Sequence, residues 1–270
     1  MVILHTLSTK MNATIVGSGK ETIILAHGYG GDQSVWDKIL PKLCECYQIL
    51  LFDWSFSGSV KDHQSLFDTE KYSSYEAFAD DLIGLVDEMK LDSSIFVGHS
   101  MSGIIGCIAS IKRPHLFKRL ILVASSPRFI NLDDYEGGFE IGEMEEMFKN
   151  IEEKYEIWSS NFARIAVDPS DPPSVEKFEK SLKRMGVEVG LPLAKNVFMI
   201  DYRGILDKVI TPCTIIQCKT DFAVPNSVAT FMHNNIKGES TVEIINTRGH
   251  FPQLTAHEEF LDVIHRVLAS

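Results

Sequence analysis

The sequence predicts an α/β fold, a mostly parallel, doubly wound sheet interrupted by an inserted helical segment. Two observations carry this. Short continuous aliphatic runs alternate with stretches of helical spacing in the first half of the chain and again near its end, as a sheet covered on both faces requires. Between those halves, residues 136–203 hold no strand-like run. A chain of 270 residues suits one such domain, since α/β folds of about 250 residues are often single. It can bury roughly three quarters of its unfolded surface, so its core needs no disulfide or metal.

The elements follow in order. Gly17-Ser-Gly19-Lys20 lacks the glycine spacing and the Ser/Thr of a phosphate loop and reads as a hairpin turn. Thr22–Ala26, 49–52, 95–97 and 120–124 are the first buried strands, bounded by polar residues or glycine. Helical spacing over 33–43, 74–90 and 101–112 supplies the crossovers. The rhythm resumes with a strand at 214–217, a helix near 226–235, a strand at 241–245 and a last helix at 256–268. In the middle, Met144, Met147, Phe148, Ile151, Tyr155, Trp158, Phe162 and Ile165 recur at helical spacing, and Ser174 reads as the cap of the next helix. The chain thus divides into a core formed by 1–135 and 204–270, and a helical lid over 136–203. A long insertion on a rigid scaffold is a common way to cover an active site.

Composition excludes several classes. Hydrophobic residues are 44%, charged residues 23% and the net charge −11, which rules out disorder, collagen and coiled coil and argues against a nucleic-acid binder, which normally shows a basic face. Much of the excess charge sits in 133–190, with 15 acids against 7 bases, and reads as a solubilising helical face. Met1-Val-Ile-Leu-His5 is too short and uncharged for a signal peptide, and no apolar run approaches the ~18 residues of a membrane span. Five cysteines without a C-x-x-C argue against structural zinc; Cys213 and Cys218 flank a predicted strand. The expectation is a reduced intracellular monomer without metal or cofactor. The sequon at Asn12-Ala-Thr14 reads as coincidence.

The chemistry concentrates at Gly98-His99-Ser100-Met101-Ser102, where a strand runs directly into a helix. This matches the nucleophile elbow, G-x-S-x-G, except that Ser102 replaces the second glycine. The demand is steric: the residues two before and two after the nucleophile must be small for strand and helix to approach, and serine is small enough. Three further features converge with it. His27-Gly28-Tyr29-Gly30-Gly31 follows a strand and can aim the Tyr29 N–H, with that of Met101, at a developing oxyanion. Asp221 follows the strand at 214–217, and His250 follows the strand at 241–245. The order Ser100, Asp221, His250 is that of α/β-hydrolases, and each residue falls at the C-terminal end of a strand, where open α/β sheets bind ligands. His250 would take the Ser100 proton and return it to the leaving group, and Asp221 would orient the imidazole. Each oxyanion donor contributes ~3–4 kcal/mol at the transition state. The set suits hydrolysis of an ester, a lactone or an enol-ether-linked lactone. Position 100 is not a carboxylate, which excludes dehalogenase chemistry. Of the remaining histidines, His27 and His99 read as braces for the loops, while His5, His63, His115, His233, His257 and His265 have no supporting context. Asp53 and Asp80 read as turn and helix-surface residues.

With these residues placed, the whole chain resembles the plant karrikin- and strigolactone-receptor α/β-hydrolases (the KARRIKIN INSENSITIVE, HYPOSENSITIVE TO LIGHT and DWARF type). The resemblance rests on Ile15-Val-Gly-Ser-Gly19, His27-Gly-Tyr-Gly30, Asp32-Gln-Ser-Val-Trp36, Phe96-Val-Gly-His-Ser100, Ala124-Ser-Ser-Pro-Arg128, Gly137-Gly-Phe-Glu140, Ala223-Val-Pro225 and Gly249-His-Phe-Pro-Gln253. It implies a four-helix V-shaped lid over a hydrophobic pocket, slow hydrolysis of butenolides coupled to signalling, and a leucine-rich-repeat F-box partner that docks on the lid and marks a repressor for degradation. It also implies residence in cytoplasm and nucleus, without metal or cofactor. By position, the pocket would be lined by Tyr29, Phe129, Phe139, Trp158, Phe162, Phe198 and Phe222. Two departures, Asp53-Trp-Ser-Phe-Ser-Gly58 in the loop after the second long strand and Gly103 where the receptors carry Ala, resemble the dwarf-fourteen-like paralogue branch. A plain intracellular carboxylesterase or lactonase, and a binding scaffold with an idle triad, are the competing readings.

Overall fold

The computed structural model describes residues 6–269. Met1 to His5, on which the leader expectation and the reading of His5 rest, and Ser270 lie outside the described residues.

The chain opens with a helical turn, α1 (Leu7–Lys10), then β1 (Thr14–Val16) and β2 (Thr22–Ala26). A 3-10 turn at Gln33–Trp36 and α2 (Leu40–Leu43) lead to β3 (Gln48–Leu51), α3 (His63–Leu66) and α4 (Tyr75–Glu88). β4 (Ser94–His99), α5 (Met101–Lys112) and β5 (Phe117–Val123) complete the first half. Three long helices follow: α6 (Ile141–Ala166), α7 (Pro172–Met185) and α8 (Val187–Phe198). β6 (Cys213–Thr220), α9 (Asn226–Asn235), β7 (Ser240–Arg248), α10 (Pro252–Thr255) and α11 (His257–Ala269) close the chain.

The seven strands form one sheet in the order β1-β3-β2-β4-β5-β6-β7, with only the β1–β3 pair antiparallel. The aliphatic runs become its centre: all six residues of β4 and the last four of β5 are buried, as parallel strands sandwiched by helices must be. β5 and β6 are neighbours, with Leu120 opposite Cys213. The chain therefore leaves the sheet after β5, builds α6 to α8 above it, and returns at the adjacent position. All five cysteines are free thiols, and Cys213 and Cys218 lie inside β6 rather than beside it.

Some predicted boundaries move for identifiable reasons. The hairpin reading of Gly17 to Lys20 is wrong: β1 and β2 lie on opposite sides of β3, so this segment crosses the end of β3 instead of turning back. Its glycines serve that crossing, because a side chain at Gly17 or Gly19 would run into the backbone of Cys46 and Tyr47, and Gly17 has φ +75°. The single helix expected over 33–43 is broken, since Pro41 is tolerated only in a first turn and starts a new element. The cap of α7 is Asp171, which accepts from the Ser174 N–H ahead of Pro172; Ser174 itself lies in the helix. The helix expected over 256–268 is α11, separated from α10 at Ala256 (φ −137°). α6 starts with a capping box between Glu140 and Glu143 and breaks at Lys154 (φ −143°, ψ 42°), so α6 to α8 comprise four helical segments. Among the described residues no helix is long and apolar enough to cross a membrane, and no cluster of His, Cys, Asp and Glu could hold a metal ion.

Candidate active site

β4 ends at His99 and α5 begins at Met101, leaving Ser100 alone on the turn with φ +56° and ψ −123°. A non-glycine residue at positive φ is costly and persists only where its surroundings hold it. Here the Ser100 N–H donates to Val123 O at 2.8 Å, and the Ser100 carbonyl accepts from Gly103 N at 3.0 Å. Gly98 is obligatory: a Cβ there would sit 2.6 Å from the Ser102 carbonyl carbon. Ser102 does more than stay small. Its Oγ donates to His27 O at 2.5 Å and accepts from Trp54 Nε1 at 2.9 Å, tying the elbow to the loop after β2 and to the loop after β3. Gly103 is fixed by Ser125, whose side chain occupies the space that an alanine methyl would need.

His250 Nδ1 lies 2.8 Å from Asp221 Oδ2, and the Asp221 side chain is fully buried. The other carboxylate oxygen accepts from Ala223 N at 2.8 Å and from Val224 N at 3.3 Å, and Gln217 Nε2 donates to Oδ2 at 3.2 Å. The carboxylate thus fixes the tautomer with hydrogen on Nδ1, leaving Nε2 as an acceptor. The His250 backbone is clamped by its N–H to Ala166 O (2.7 Å). Its carbonyl accepts from His99 Nε2 (2.8 Å). Gly249 (φ +95°) makes that approach possible, since a Cβ would stand 3.0 Å from Ala166 O.

The loop after β2 lies against the elbow: a Cβ at Gly28 would be 2.9 Å from Ser100 Cβ and 3.0 Å from His99 Nδ1. Met101 opens α5, so its N–H has no intrahelical acceptor, and Tyr29 sits in the facing turn. The Tyr29 phenol, pushed up by burial and then by the neighbouring Tyr155, stays protonated and donates to Gly190 O of α8 at 2.9 Å. Both bracing histidines are hydrogen-bonded within the loops: His27 Nδ1–H donates to Gly28 O (3.0 Å), and its Nε2 accepts from Trp54 N (3.2 Å). Asp53 departs from its turn reading. It is buried and accepts from Gln33 N (2.8 Å), Gln33 Nε2 (2.9 Å) and Asn12 Nδ2 (3.1 Å), a hub that links three loops. Asp80 is exposed and pairs with Lys112 at 2.5 Å.

Ser100 and His250 share the wall of a nearly closed cavity of about 20 Å³ with Tyr29, Phe129, Phe162, Phe198 and Phe222. Phe139 and Trp158 do not line it; they stand one layer out, in a groove of about 340 Å³ along α6. The reason is that Phe162 stacks on Trp158 at 4.9 Å and takes the inner position. Sequence reasoning missed Phe178, Val197 and Phe251. The stripe Val175, Phe178, Leu182, Met185 on α7 carried the signal for the first, and adjacency to His250 carried it for the last. A larger open groove of about 760 Å³, bordered by Phe67, Tyr72, Pro192, Met199 and Tyr202, lies away from these groups.

The Alpha/beta hydrolase family model matches residues 23–263. The chain is 40% identical over 264 residues to strigolactone esterase D14 of Arabidopsis thaliana, covering 98% of each chain. It is 40% identical over 264 residues to karrikin insensitive 2 receptor IA of Petunia hybrida, covering 97% of this chain and 96% of that one. Among solved structures, the hydrolase olei00960 from Oleispira antarctica superposes with a TM-score of 0.90 at 29% identity, over 98% of this chain and 99% of that one.

Proposed function

The chain belongs to the alpha/beta hydrolase family, and from that membership we propose that it is a serine hydrolase-type receptor that binds and slowly hydrolyses butenolide signals of the strigolactone or karrikin kind. The observation that carries the reading is the His250–Asp221 bond of 2.8 Å on the wall of an aromatic cavity that also holds Ser100. Two relatives at 40% identity over almost their whole length, one named an esterase and one a receptor, support the substrate class.

In this reading Ser100 Oγ attacks the ester or lactone carbonyl while His250 Nε2 accepts its proton. Asp221 holds the imidazole and stabilises its cation. The N–H groups of Tyr29 and Met101 receive the oxyanion. His250 then protonates the leaving oxygen, and a water activated by the same ring releases the acyl group. The strained turn at Ser100 suits this, because it lifts the hydroxyl clear of the sheet. The reading brings further expectations: a butenolide as ligand, a leucine-rich-repeat F-box partner on the lid with its repressor, no cofactor, a monomeric state, and residence in cytoplasm and nucleus.

The test is Ser100→Ala against a fluorogenic butenolide ester. We expect hydrolysis to fall by at least about 10³-fold, the scale for loss of a triad nucleophile; retained turnover would refute the assignment. Mass spectrometry of the wild-type protein after incubation with a strigolactone analogue should show an adduct on Ser100 or His250. Rapid multiple turnover of generic esters with no such adduct would favour a plain esterase.

A further inference from the structure

A cavity of about 20 Å³ holds roughly one water, whereas sites for organic ligands span about 300–1,000 Å³. A wall must therefore move before any ester reaches Ser100. Most of the wall is held. Tyr29, Phe129, Phe198 and Phe251 are almost fully buried. Phe178 rides on α7, which is pinned to the core by Lys38–Asp171 (2.5 Å), Lys177–Asp37 (2.5 Å) and Arg184–Asp32.

Two residues differ. Phe162 and Phe222 are half-buried and line both the inner cavity and the outer groove of about 340 Å³; among the described residues no other borders both. Their rings meet edge to face, 5.6 Å apart at 83°, and form the partition. We propose that Phe162 and Phe222 are a two-ring gate, and that the outer groove is the entry subsite for a neutral, largely apolar ester or lactone. The groove's walls are Met144, Met147, Trp158 and Ile165, and Glu143 and Glu146 edge it. Apolar walls with an acidic edge accept a neutral substrate and repel the carboxylate that hydrolysis produces. The gate can open by side-chain rotation. The backbone beside Phe222 is anchored through Asp221, which accepts from Ala223 N, so opening need not disturb the acid. Phe162 lies in the part of α6 beyond the break at Lys154, whose Ala166 O holds the His250 N–H, so its ring turns while that segment stays in place.

The inference rests on the hydrolase reading, and its test separates the two. Values of kcat/KM are measured for p-nitrophenyl acetate and p-nitrophenyl octanoate on wild type, Phe162→Ala, Phe222→Ala, Phe222→Trp and Ser100→Ala. With a gate, each alanine variant raises the octanoate-to-acetate ratio by about tenfold or more, equivalent to about 1.4 kcal/mol of selectivity, and Phe222→Trp lowers it. Phe162→Leu and Phe222→Leu, which keep most of the packing, should shift the ratio in the same direction if an alanine variant fails to fold. A ratio unchanged or lowered across these variants overturns the gate. Persistent turnover in Ser100→Ala overturns the hydrolase reading instead, and loss of turnover there with an unchanged ratio elsewhere leaves that reading standing while the gate falls.

Discussion

Two imidazoles lie 5.0 Å apart, and their partners give them opposite tasks. His250 faces a buried carboxylate, whereas His99 donates from Nε2 to the His250 carbonyl and is itself buried. Burial, reinforced by the nearby His250, holds His99 well below the ordinary histidine range, so it stays neutral. The sign follows. The unfolded chain binds a proton on this ring near pH 6.5, while the folded chain does not. Stability therefore falls as pH drops below about 6.5, by up to ~1.4 kcal/mol per pH unit for this one group. Asp32 does not interfere in that window: burial would raise its carboxyl, but hydrogen bonds from Ser34 and Ser59 and the nearby His27 ring hold it below the usual value. We expect urea-unfolding free energies to decline from pH 7 to pH 5, and His99→Gln, which can still donate to His250 O, to show a shallower decline. Identical slopes would assign the pH dependence elsewhere. At this scale the strained turn at Ser100 was legible, because such a turn imposes small neighbours within two residues. The Trp54–Ser102–His27 links were not, because their partners are 48 and 75 positions apart.

At the scale of elements, α7 is the lid's anchor. Its ion pairs fall at three points along its length, but they are unequal. Lys38, Lys177 and their partners are partly exposed, and such pairs contribute ~0–1 kcal/mol each. Arg184 meets Asp32, whose side chain is 4% exposed, and removing one partner of a buried charge leaves the other unpaired. Asp32 keeps Ser34 and Ser59 as donors, which limits the loss. Arg184→Met should cost about 1–2 kcal/mol in chemical unfolding, and Lys177→Met under ~1 kcal/mol; equal effects would remove the distinction. Strands β2, β4, β5 and β6 were readable because burial on both faces leaves runs that are mostly apolar. β1 escaped notice because an edge strand of three residues, two of them exposed, carries no such pattern. The break in α6 was equally silent: it falls at Lys154 with no proline or glycine to mark it.

For the whole molecule, the residues that close the cavity could be named in part from sequence, but its volume could not. Volume depends on which ring of a stacked pair lies inward, and the choice between Trp158 and Phe162 is made by packing across the lid. That closed state has a thermodynamic consequence. A ligand that only binds the native protein must raise its apparent stability by mass action. A butenolide that enters, reacts at Ser100 and leaves a covalent fragment under the lid produces a different species, in which Phe162 and Phe222 can no longer meet as they do here at 5.6 Å. We therefore expect a hydrolysable butenolide to lower the Tm of the wild-type protein and to raise that of Ser100→Ala, where binding proceeds without acylation. Differential scanning fluorimetry with both proteins and a non-hydrolysable analogue decides it. The analogue should raise both melting temperatures, and a rise in wild type with the hydrolysable ligand would show that reaction leaves the lid as it was and would count against a signal carried by lid opening.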